Sequence, residues 1–523
     1  MKGSAISSAA SQPVAVVDIG STFMRLLIAE RRGDKSGRIL ERAVQSVPIG
    51  RDVVRDRRIS NSTIERCVQI LGSFRQLLKE YGIEPESVRA VTNEAVRQAD
   101  NHEAFLDRLS IASRIAFRLL DSGQMGYYYH LAFRLIRNRH VGWETSGVAV
   151  VEIGGLTCNL LYRKEGEIRF AQTYGVGSLR ILQQLESAGL RLEQLDGLAE
   201  GRTRELASQL RQISAADDSF KLLFMGREMR FAAERLRSWN ETGDKGSVVR
   251  RILVSELRRL VRQVMGETVA EEVRQCQISY PDAELLAPTL CMALSVAQEL
   301  HLKEIYVSNL SFSDGLLVEA VNSPEWLTTM MRHVMRIAHE TGAKYRYDER
   351  HAAQVAKVAL ELFDLMREEH YCTERHRLLL EIASLLHDIG NYVNTRGHHK
   401  HTMYLIRNTE FTGLSSSEVN VIALIARYHR KALPQMTQPE YSALSREDRL
   451  VVCKLAALLR VADALDRLHE QSLGRLTFEL KPDMLVCVPG RRVETSAEQV
   501  ALVEKGDLFE QIYGRRCYVR NAN

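Results

Sequence analysis

Histidines and aspartates recur through the second half of this chain in an order that could build a metal centre. An adjacent pair, His387-Asp388, ends an apolar segment and is closely followed by Gly390. A neutral imidazole and a carboxylate at one helix end can bind a divalent ion, while other helices supply the remaining ligands. The other members of the series are His351, His398, His399, His401, His429 and Asp463.

The chemistry expected of such a centre is hydrolysis of a phosphate bond. A bound divalent ion lowers the pKa of a coordinated water and makes it a nucleophile near neutral pH. Taken singly, each of these histidines is more often an ordinary surface or core residue. The ordered set favours a metal site, because clustered His and Asp in apolar helices would be desolvated without a compensating ion.

Basic residues surround His429 in the sequence. Arg427, Arg430 and Lys431 could hold phosphate oxygens through charge-assisted hydrogen bonds. A solvated helix end is the alternative interpretation, and both stay open at this point.

The composition is that of a globular protein with several structural units. The chain has 523 residues, 45% hydrophobic and 26% charged, with a net charge of +5. This charge is too small for its length to indicate a membrane surface or a specific nucleic acid as partner. The eight cysteines are scattered, which predicts reduced thiols rather than a disulfide framework. Because no signal peptide or membrane-length apolar run is evident, we expect a cytoplasmic protein.

Two glycine turns of similar pattern lie in the first half. The apolar segment 14–17 leads into Asp18-Ile19-Gly20-Ser21-Thr22, and 147–151 leads into Glu152-Ile153-Gly154-Gly155-Leu156-Thr157. An apolar segment follows each turn. This repeat predicts two similar lobes facing each other across a cleft. Glycines allow backbone N–H groups to approach a phosphate closely.

The pattern of hydrophobic and polar residues changes near residue 325. Strand signals give way to amphipathic helical periodicity, which continues to residue 470. We therefore expect an α/β half followed by an all-α half and a last, alternating segment. The predicted divisions are a disordered tail 1–12, a first lobe 13–130, a second lobe 131–325, a helical domain 326–470 and a small α+β segment 471–523.

Across nearly its whole length the chain resembles the exopolyphosphatase and guanosine pentaphosphate phosphatase (Ppx/GppA) family. In the second half, the segments Gly397-His398-His399-Lys400-His401 and 426–431 resemble the histidine–aspartate (HD) domain of longer members. The landmarks of the first half are Asp18-Ile19-Gly20-Ser21, Asn93-Glu94-Ala95-Val96-Arg97, Ser122-Gly123, Glu152-Ile153-Gly154-Gly155, Gly175-Val176-Gly177-Ser178-Leu179-Arg180 and Ser313-Asp314-Gly315-Leu316-Leu317.

The resemblance implies two lobes of the actin and heat-shock-70 superfamily (ASKHA, ribonuclease-H-like), followed by a helical HD-type domain. It implies a homodimer that removes terminal phosphate from polyphosphate or a phosphorylated nucleotide, with Mg²⁺ at the cleft. Arg97 would bind substrate, and Glu152 stands where a metal-linked aspartate is expected. The implied phosphate-binding residues are Asp18, Gly20, Ser21, Gly154, Gly155 and Thr157.

For the helical half, the resemblance implies a centre that binds Mn²⁺, Fe²⁺ or Zn²⁺. The core ligands would be His351, His387, Asp388 and Asp463. His398 and His429 would be the additional ligands of a two-metal variant, for which His399 and His401 are rival assignments.

The family pattern fails at the cleft. The general-base glutamate expected after Ser122-Gly123 is absent, because the chain continues Gln124-Met125-Gly126. Leu156 replaces a glycine, Asn159 replaces a carboxylate, Phe23 stands where a small polar residue is usual, and Gly226-Arg227-Glu228 replaces a third phosphate loop. Losing a general base alone lowers a rate by roughly 10²–10⁴-fold. Asp121 and Glu94 are candidates for a relocated base.

Two functional hypotheses follow. In the first, the chain is a phosphohydrolase. Family inheritance favours terminal phosphate removal at the cleft, whereas the residues themselves favour hydrolysis at the helical metal site, with a weak or silent cleft. In the second, it is a regulatory protein that binds a nucleotide or polyphosphate at a non-catalytic cleft.

Overall fold

The computed structural model of the chain describes residues 13–31, 37–137, 143, 146–215, 220–236, 249–321, 323–430 and 432–520. The chain forms two compact units, Met1–Leu327 and Thr328–Asn523. The predicted tail 1–12 and the candidate phosphate ligand Lys431 lie outside the described residues. In the described part of the chain, no helix is long and apolar enough to cross a membrane.

The first lobe of unit 1 is a five-stranded sheet of order β3-β2-β1-β4-β5. Strand β1 is almost wholly buried, as a central strand requires, and pairs antiparallel with β2 and parallel with β4. The elements are β1 (Val14–Ile19), β2 (Phe23–Arg31), β3 (Gly37–Ser46), α1 (Ile49–Asp56), α2 (Asn61–Glu80), a 3₁₀ turn (Pro85–Ser87), β4 (Arg89–Thr92), α3 (Glu94–Arg97), α4 (His102–Ser113), β5 (Phe117–Leu119) and α5 (Ser122–Arg137).

The second lobe repeats this pairing in a six-stranded sheet of order β10-β11-β9-β6-β7-β8. Strand β6 pairs antiparallel with β7 and parallel with β9, as β1 does with β2 and β4. The elements are β6 (Val148–Ile153), β7 (Cys158–Lys164), β8 (Glu167–Tyr174), α6 (Ser178–Ser187), a 3₁₀ turn (Leu192–Gln194), α7 (Leu195–Ser214), β9 (Lys221–Met225), α8 (Arg227–Arg235), β10 (Val249–Leu253), α9 (Val254–Met265), α10 (Val269–Cys276), α11 (Tyr280–Glu299), β11 (Glu304–Ser308) and α12 (Phe312–Val321). The predicted pair of similar lobes is thereby confirmed.

Helix α5 packs along α12, at the Ser313-Asp314-Gly315 motif. A Cβ at Gly315 would lie 1.9 Å from the carbonyl oxygen of Tyr128, so only glycine permits this close crossing. The predicted boundaries at 130/131 and 325/326 lie inside α5 and inside the helix Ser323–Lys344, and the two compact units divide between Leu327 and Thr328.

Unit 2 is a helical bundle in which α14 packs on α16 and α20, and α18 packs on both α16 and α20. The three-stranded sheet β12-β13-β14 and helices α21 and α22 share one hydrophobic core with this bundle. The elements are α13 (Ser323–Lys344), α14 (Glu349–Leu365), α15 (Arg367–His370), α16 (Glu374–Leu386), a 3₁₀ turn (Ile389–Tyr392), α17 (His398–Arg407), α18 (Ser416–Arg427), α19 (Pro439–Ser442), α20 (Arg446–Ala464), β12 (Thr477–Leu480), β13 (Met484–Val488), α21 (Ser496–Lys505), α22 (Asp507–Tyr513) and β14 (Arg516–Val519).

Candidate functional site

The predicted metal ligands of unit 2 lie at helix ends. His351 is in the first turn of α14, His398 begins α17, and Asp463 lies in the last turn of α20. His387-Asp388 follows directly on α16, and His429 lies just beyond α18. Because these helices pack together, their ends can bring the six side chains to one place.

A glycine makes this convergence possible. A Cβ at Gly390 would lie 2.1 Å from the carbonyl oxygen of His398 and 2.5 Å from the amide nitrogen of Thr402. The Thr402 hydroxyl also donates a hydrogen bond to the carbonyl of His387 at 2.9 Å and accepts one from the amide of Gly390 at 3.0 Å. The glycine after the His-Asp pair therefore lets α17 dock against the turn that carries the pair.

The first group of ligand atoms comes from His351, His387 and Asp463, all of them buried. Nε2 of His351 lies 3.3 Å from Nε2 of His387. Oδ1 of Asp463 lies 3.6 Å from the former nitrogen and 3.8 Å from the latter. Two imidazole nitrogens and a carboxylate oxygen therefore face one point.

The second group comes from Asp388, His398 and His429. Oδ1 of Asp388 lies 3.1 Å from Nε2 of His398 and 3.4 Å from Nε2 of His429. The other oxygen, Oδ2, lies 3.9 Å from Nε2 of His387 in the first group. The Asp388 carboxylate therefore stands between the two groups, as a carboxylate shared by two ions would.

The four imidazoles present the same nitrogen to the centre. Nδ1 of His387, His398 and His429 contacts the carbonyl oxygens of Ser384, Thr395 and Ala426 at 2.7, 3.1 and 2.6 Å. A carbonyl oxygen can only accept, so Nδ1 carries the hydrogen and Nε2 of the neutral ring keeps a lone pair facing inward. Nδ1 of His351 contacts the carboxylate of Asp466 at 2.8 Å. Such outer contacts orient histidine ligands in metal sites, and the residues present therefore fit a divalent ion.

The charge states of the aspartates and of His429 also suit ligation. Burial would raise the pKa of Asp388, but the facing imidazoles of His387 and His398 outweigh it and lower the pKa. Burial is likewise outweighed at Asp463, chiefly by the charge of Lys505, so its pKa lies well below the ordinary value. Burial, with the charge of His387, lowers the pKa of His429 to about 3. Two carboxylates and a neutral imidazole are the forms that bind metals.

Several residues near the ligands in sequence do not belong to the ligand groups. His399 and His401, the rival assignments, belong to none of the ligand groups found among the described residues. Arg427 is paired with Glu440 at 3.1 Å. Burial would lower the pKa of His398, but the hydrogen bond and charge of Asp388 outweigh it and raise this pKa. Burial lowers the pKa of His399 to about 4.

Sequence reasoning missed His469 and Lys505. His469 stacks on His351 with ring centroids 3.6 Å apart and forms a further group of possible ligands with His351 and Asp388. The Lys505 ammonium contacts the carboxylate of Asp463. Both residues lie outside the segments that carried the resemblance, and no local pattern marks them.

In unit 1, the cleft residue Asp18 has two protein partners at one of its carboxylate oxygens. One oxygen, Oδ2, accepts hydrogen bonds from Nη1 of Arg25 at 2.8 Å and from the hydroxyl of Ser313 at 2.9 Å. The hydroxyl of Tyr129 donates to Glu152, whose pKa is raised chiefly by burial. Two of the carboxylates expected to bind metal and phosphate thus have partners within the chain.

In both glycine turns, a glycine amide donates a hydrogen bond within the turn. The amide of Gly20 donates to the carbonyl of Phe23 at 2.9 Å, and the amide of Gly154 donates to the carbonyl of Thr157 at 2.9 Å. Two backbone groups predicted to cradle phosphate are therefore engaged within their turns.

The two turns also pack directly on each other. A Cβ at Gly155 would lie 2.8 Å from Oγ of Ser21 and 2.9 Å from a methyl carbon of Leu179. Leu156, which replaces a glycine of the family pattern, is buried with Leu179 and Leu285 in the hydrophobic core of the first lobe. The substitution therefore joins the lobes by apolar contact at the place where phosphate was expected.

Two further departures from the family pattern contact each other. The guanidinium of Arg227 lies over the ring of Phe23 at 4.6 Å and pairs with Asp282 at 3.0 Å. Next to Arg227, Glu228 is buried and its pKa is raised to about 7, chiefly by burial. Phe23 and Arg227 border a cavity of about 490 Å³ that is also lined by Arg51, Arg66, Tyr280 and Glu284.

The remaining predicted residues of the cleft are placed as follows. Nε of Arg97 lies 3.2 Å from the carboxylate of Glu94. Asp121 accepts a hydrogen bond from the amide of Gln124 at 3.2 Å and so caps α5. Met125 is buried. The structure thus gives both candidates for a relocated base another partner.

Comparison with known proteins was consistent across sequence and structure. Residues 27–324 match the Ppx/GppA phosphatase family, and residues 334–484 match Ppx/GppA phosphatase, domain III. A "guanosine-5'-triphosphate,3'-diphosphate pyrophosphatase" of Vibrio campbellii is 22% identical over 458 residues, which is 87% of each chain. A protein of the same name from Photobacterium profundum is 21% identical over 509 residues, covering 94% of this chain and 96% of that one.

A solved structure of an exopolyphosphatase from Cytophaga hutchinsonii shares the fold. Its TM-score is 0.52 at 19% identity, and the alignment covers 60% of this chain and 98% of that chain. The two mixed sheets of unit 1 therefore form an ASKHA-type Ppx/GppA fold, which a helical C-terminal region follows. With family matches over most of its length, the chain belongs to the Ppx/GppA phosphatase family and is a phosphohydrolase of that family.

Proposed function

We propose that the helical unit carries an HD-type, two-ion centre that hydrolyses a phosphoester or phosphoanhydride, and that the cleft of unit 1 is catalytically weak. The single observation that carries this proposal is the set of four imidazoles with Nδ1 bonded outward and Nε2 facing Asp388 or Asp463. Buried imidazole nitrogens that face one another and a carboxylate form a donor set that suits a divalent ion.

The proposed ligands fall into two sets. His351, His387 and Asp463 would hold one ion, and His398 and His429 would hold a second, with Asp388 available to both. Divalent ions at such sites lower the pKa of bound water and neutralise phosphate charge. Because imidazole and carboxylate ligands suit Mn²⁺, Fe²⁺ and Zn²⁺, we propose one of these ions.

The residues of the cleft support the proposal that catalysis takes place in the helical unit. The expected base is missing, the amides of Gly20 and Gly154 are engaged, and Leu156 is buried in the hydrophobic core of the first lobe. Catalysis of phosphoryl transfer depends on positioned donors, a positioned water and a proton acceptor. The Mg²⁺ site at this cleft stays a prediction, as do the homodimer and the cytoplasmic location.

The substrate we propose is a phosphorylated nucleotide or polyphosphate, by analogy with the relatives' names. One observation favours a second function, regulatory binding at the cleft. The 490 Å³ cavity is of the size that binds a nucleotide, and arginine and aromatic side chains line it. A bound nucleotide there would have to compete with the carboxylates Asp282 and Glu284 for their arginine partners.

Metal content of the purified protein tests the proposal first. Wild-type protein should retain a transition metal through gel filtration, and His387→Ala and Asp388→Ala should lose it. His399→Ala is the matched control, because His399 lies close in sequence but outside the ligand groups. Equal, near-zero metal content in wild type and variants would exclude a helical metal centre.

Phosphate release then locates the activity. Wild type, Asp388→Ala and Glu152→Ala should be compared on polyphosphate, guanosine pentaphosphate and simple nucleotides. We expect Asp388→Ala to reduce release to background and Glu152→Ala to retain it. The reverse result would place catalysis in the cleft. Binding without turnover in wild type would favour the regulatory function.

A further inference from the structure

The C-terminal segment places Lys505 beside the proposed metal centre. Lys505 is the last residue of α21, and its ammonium contacts Oδ2 of Asp463. The other oxygen of this carboxylate, Oδ1, faces the imidazoles of His351 and His387. Lys505 lies beyond residue 484, where the match to domain III ends, so the family match does not include it.

A buried arginine fixes the backbone of Lys505. The side chain of Arg460 is fully buried, and its Nε donates to the carbonyl of Lys505 at 2.8 Å. From the same guanidinium, Nη1 donates to the carbonyl of Tyr428 at 3.1 Å and Nη2 donates to Asp507 at 2.5 Å. Since His429 follows Tyr428, one arginine ties the lysine to a segment that carries a proposed ligand.

The ammonium has unused capacity to bind an anion. Lysine has three N–H donors, of which the contact with Asp463 uses one. The side chain is only 12% exposed, so little water competes for the others.

Charge balance indicates what the remaining donors would meet. Two divalent ions, if bound, and the ammonium beside the carboxylates of Asp388 and Asp463 would leave an excess of positive charge in a buried place. Such an excess attracts an anion, and lysine binds phosphate oxygens as a compact point charge.

We propose that Lys505 is a phosphate-binding residue of the loaded metal centre, one that holds an oxygen of the substrate or product phosphate while Asp463 serves as a ligand. This inference rests on the proposed metal centre. It adds a substrate-contacting residue and makes the segment after residue 484 part of the site.

The experiment measures binding of inorganic phosphate to Mn²⁺-loaded full-length protein by calorimetry. Lys505→Met should keep the metal and weaken phosphate binding about tenfold to a hundredfold, as expected for a charge-assisted hydrogen bond. Lys505→Arg should restore most of the affinity. Lys454→Met is the matched control, because Lys454 lies on the same helix as Asp463 but its ammonium donates to the carbonyl of His370, at 2.8 Å.

The outcomes separate this inference from the proposed function. Unchanged phosphate affinity in metal-loaded Lys505→Met would overturn the inference and leave the metal centre intact. Loss of metal from Lys505→Met, in protein whose thermal unfolding matches wild type, would also overturn it, because Lys505 would then position Asp463. Wild-type protein that takes up no Mn²⁺ would instead refute the metal centre itself.

Discussion

The carboxylate of Asp466 contacts Nδ1 of His351 at 2.8 Å, and this contact turns Nε2 of the imidazole toward His387 and Asp463. Asp466 is itself held by Gln471, whose backbone amide donates to Oδ1 at 2.9 Å and whose side-chain amide donates to Oδ2 at 3.2 Å. The orientation of His351 is therefore set by residues just after α20, outside the predicted ligand set.

We expect Asp466→Ala to lower the affinity of the centre for a divalent ion by about tenfold to a hundredfold, because outer carboxylates orient histidine ligands. The measurement is a competition titration of the purified protein against a metal-binding dye. Asp364→Ala is a suitable control, since Asp364 pairs with Arg367 and Arg377 near the surface. Equal affinities in Asp466→Ala and wild type would show that the contact does not orient His351.

Sequence patterns predicted much of this arrangement because its signals are local. The strand–turn–strand repeat predicted two similar lobes. In the structure, β1 and β6 each pair with one antiparallel and one parallel strand. The six predicted metal ligands converge in two groups, because each lies at the end of an apolar helix of one bundle. Their convergence is a finding, whereas metal binding stays a proposal.

Other features depend on contacts between residues far apart in the sequence. In the sequence, Phe23 and Arg227 are two separate departures from the family pattern. Only the fold shows that their side chains stack on each other. Leu156 reads as a lost glycine, and only packing shows that it fills a core. The approach of Lys505 to Asp463 depends on how the C-terminal segment folds back onto α20, which periodicity does not encode.

Gly390→Ala should disrupt the second ligand group more than the first. The added Cβ would lie 2.1 Å from the carbonyl oxygen of His398, so α17 must move away from the turn that carries Asp388. We expect a destabilisation of about 1–3 kcal/mol, as for overpacking, and a fall in metal content from two ions to one. Thermal unfolding and elemental analysis measure these two effects.

Gly72→Ala provides the contrast for that variant. Gly72 lies within α2, and a Cβ there meets nothing within 4 Å. Alanine should stabilise this helix by up to about 1 kcal/mol and leave metal content unchanged. If Gly390→Ala retained two ions and wild-type stability, the docking of α17 would tolerate a side chain and the argument from close approach would be wrong.

The buried carboxyl group of Glu228 should make unit 1 less stable as pH rises. Burial raises its pKa from the model-peptide value of 4.5 to about 7, so the folded state binds the proton more tightly than the unfolded state. The folded protein loses this advantage as pH rises through this interval, at about 1.4 kcal/mol for each unit of pKa difference. Near pH 4 the group is protonated in both states and has no such effect.

Glu228→Gln should therefore stabilise unit 1 at pH 8 by roughly 3 kcal/mol and change its stability little at pH 4. Denaturant unfolding of the variant and of wild type at both pH values gives the comparison, and the acidic measurement is the internal control. A stability difference that is the same at both pH values would mean that Glu228 does not titrate in this interval.

Leu156→Ala should show whether catalysis takes place in the helical unit or involves the cleft of unit 1. The side chain is buried with Leu179 and Leu285, so its truncation should destabilise unit 1 by about 2–5 kcal/mol. Because the proposed centre lies wholly in unit 2, metal content should match wild type at temperatures where unit 1 stays folded. Phosphate release under those conditions should also be unchanged. If release instead rose or fell severalfold while metal content held, the lobes would take part in turnover, and the assignment of catalysis to the helical unit alone would fail.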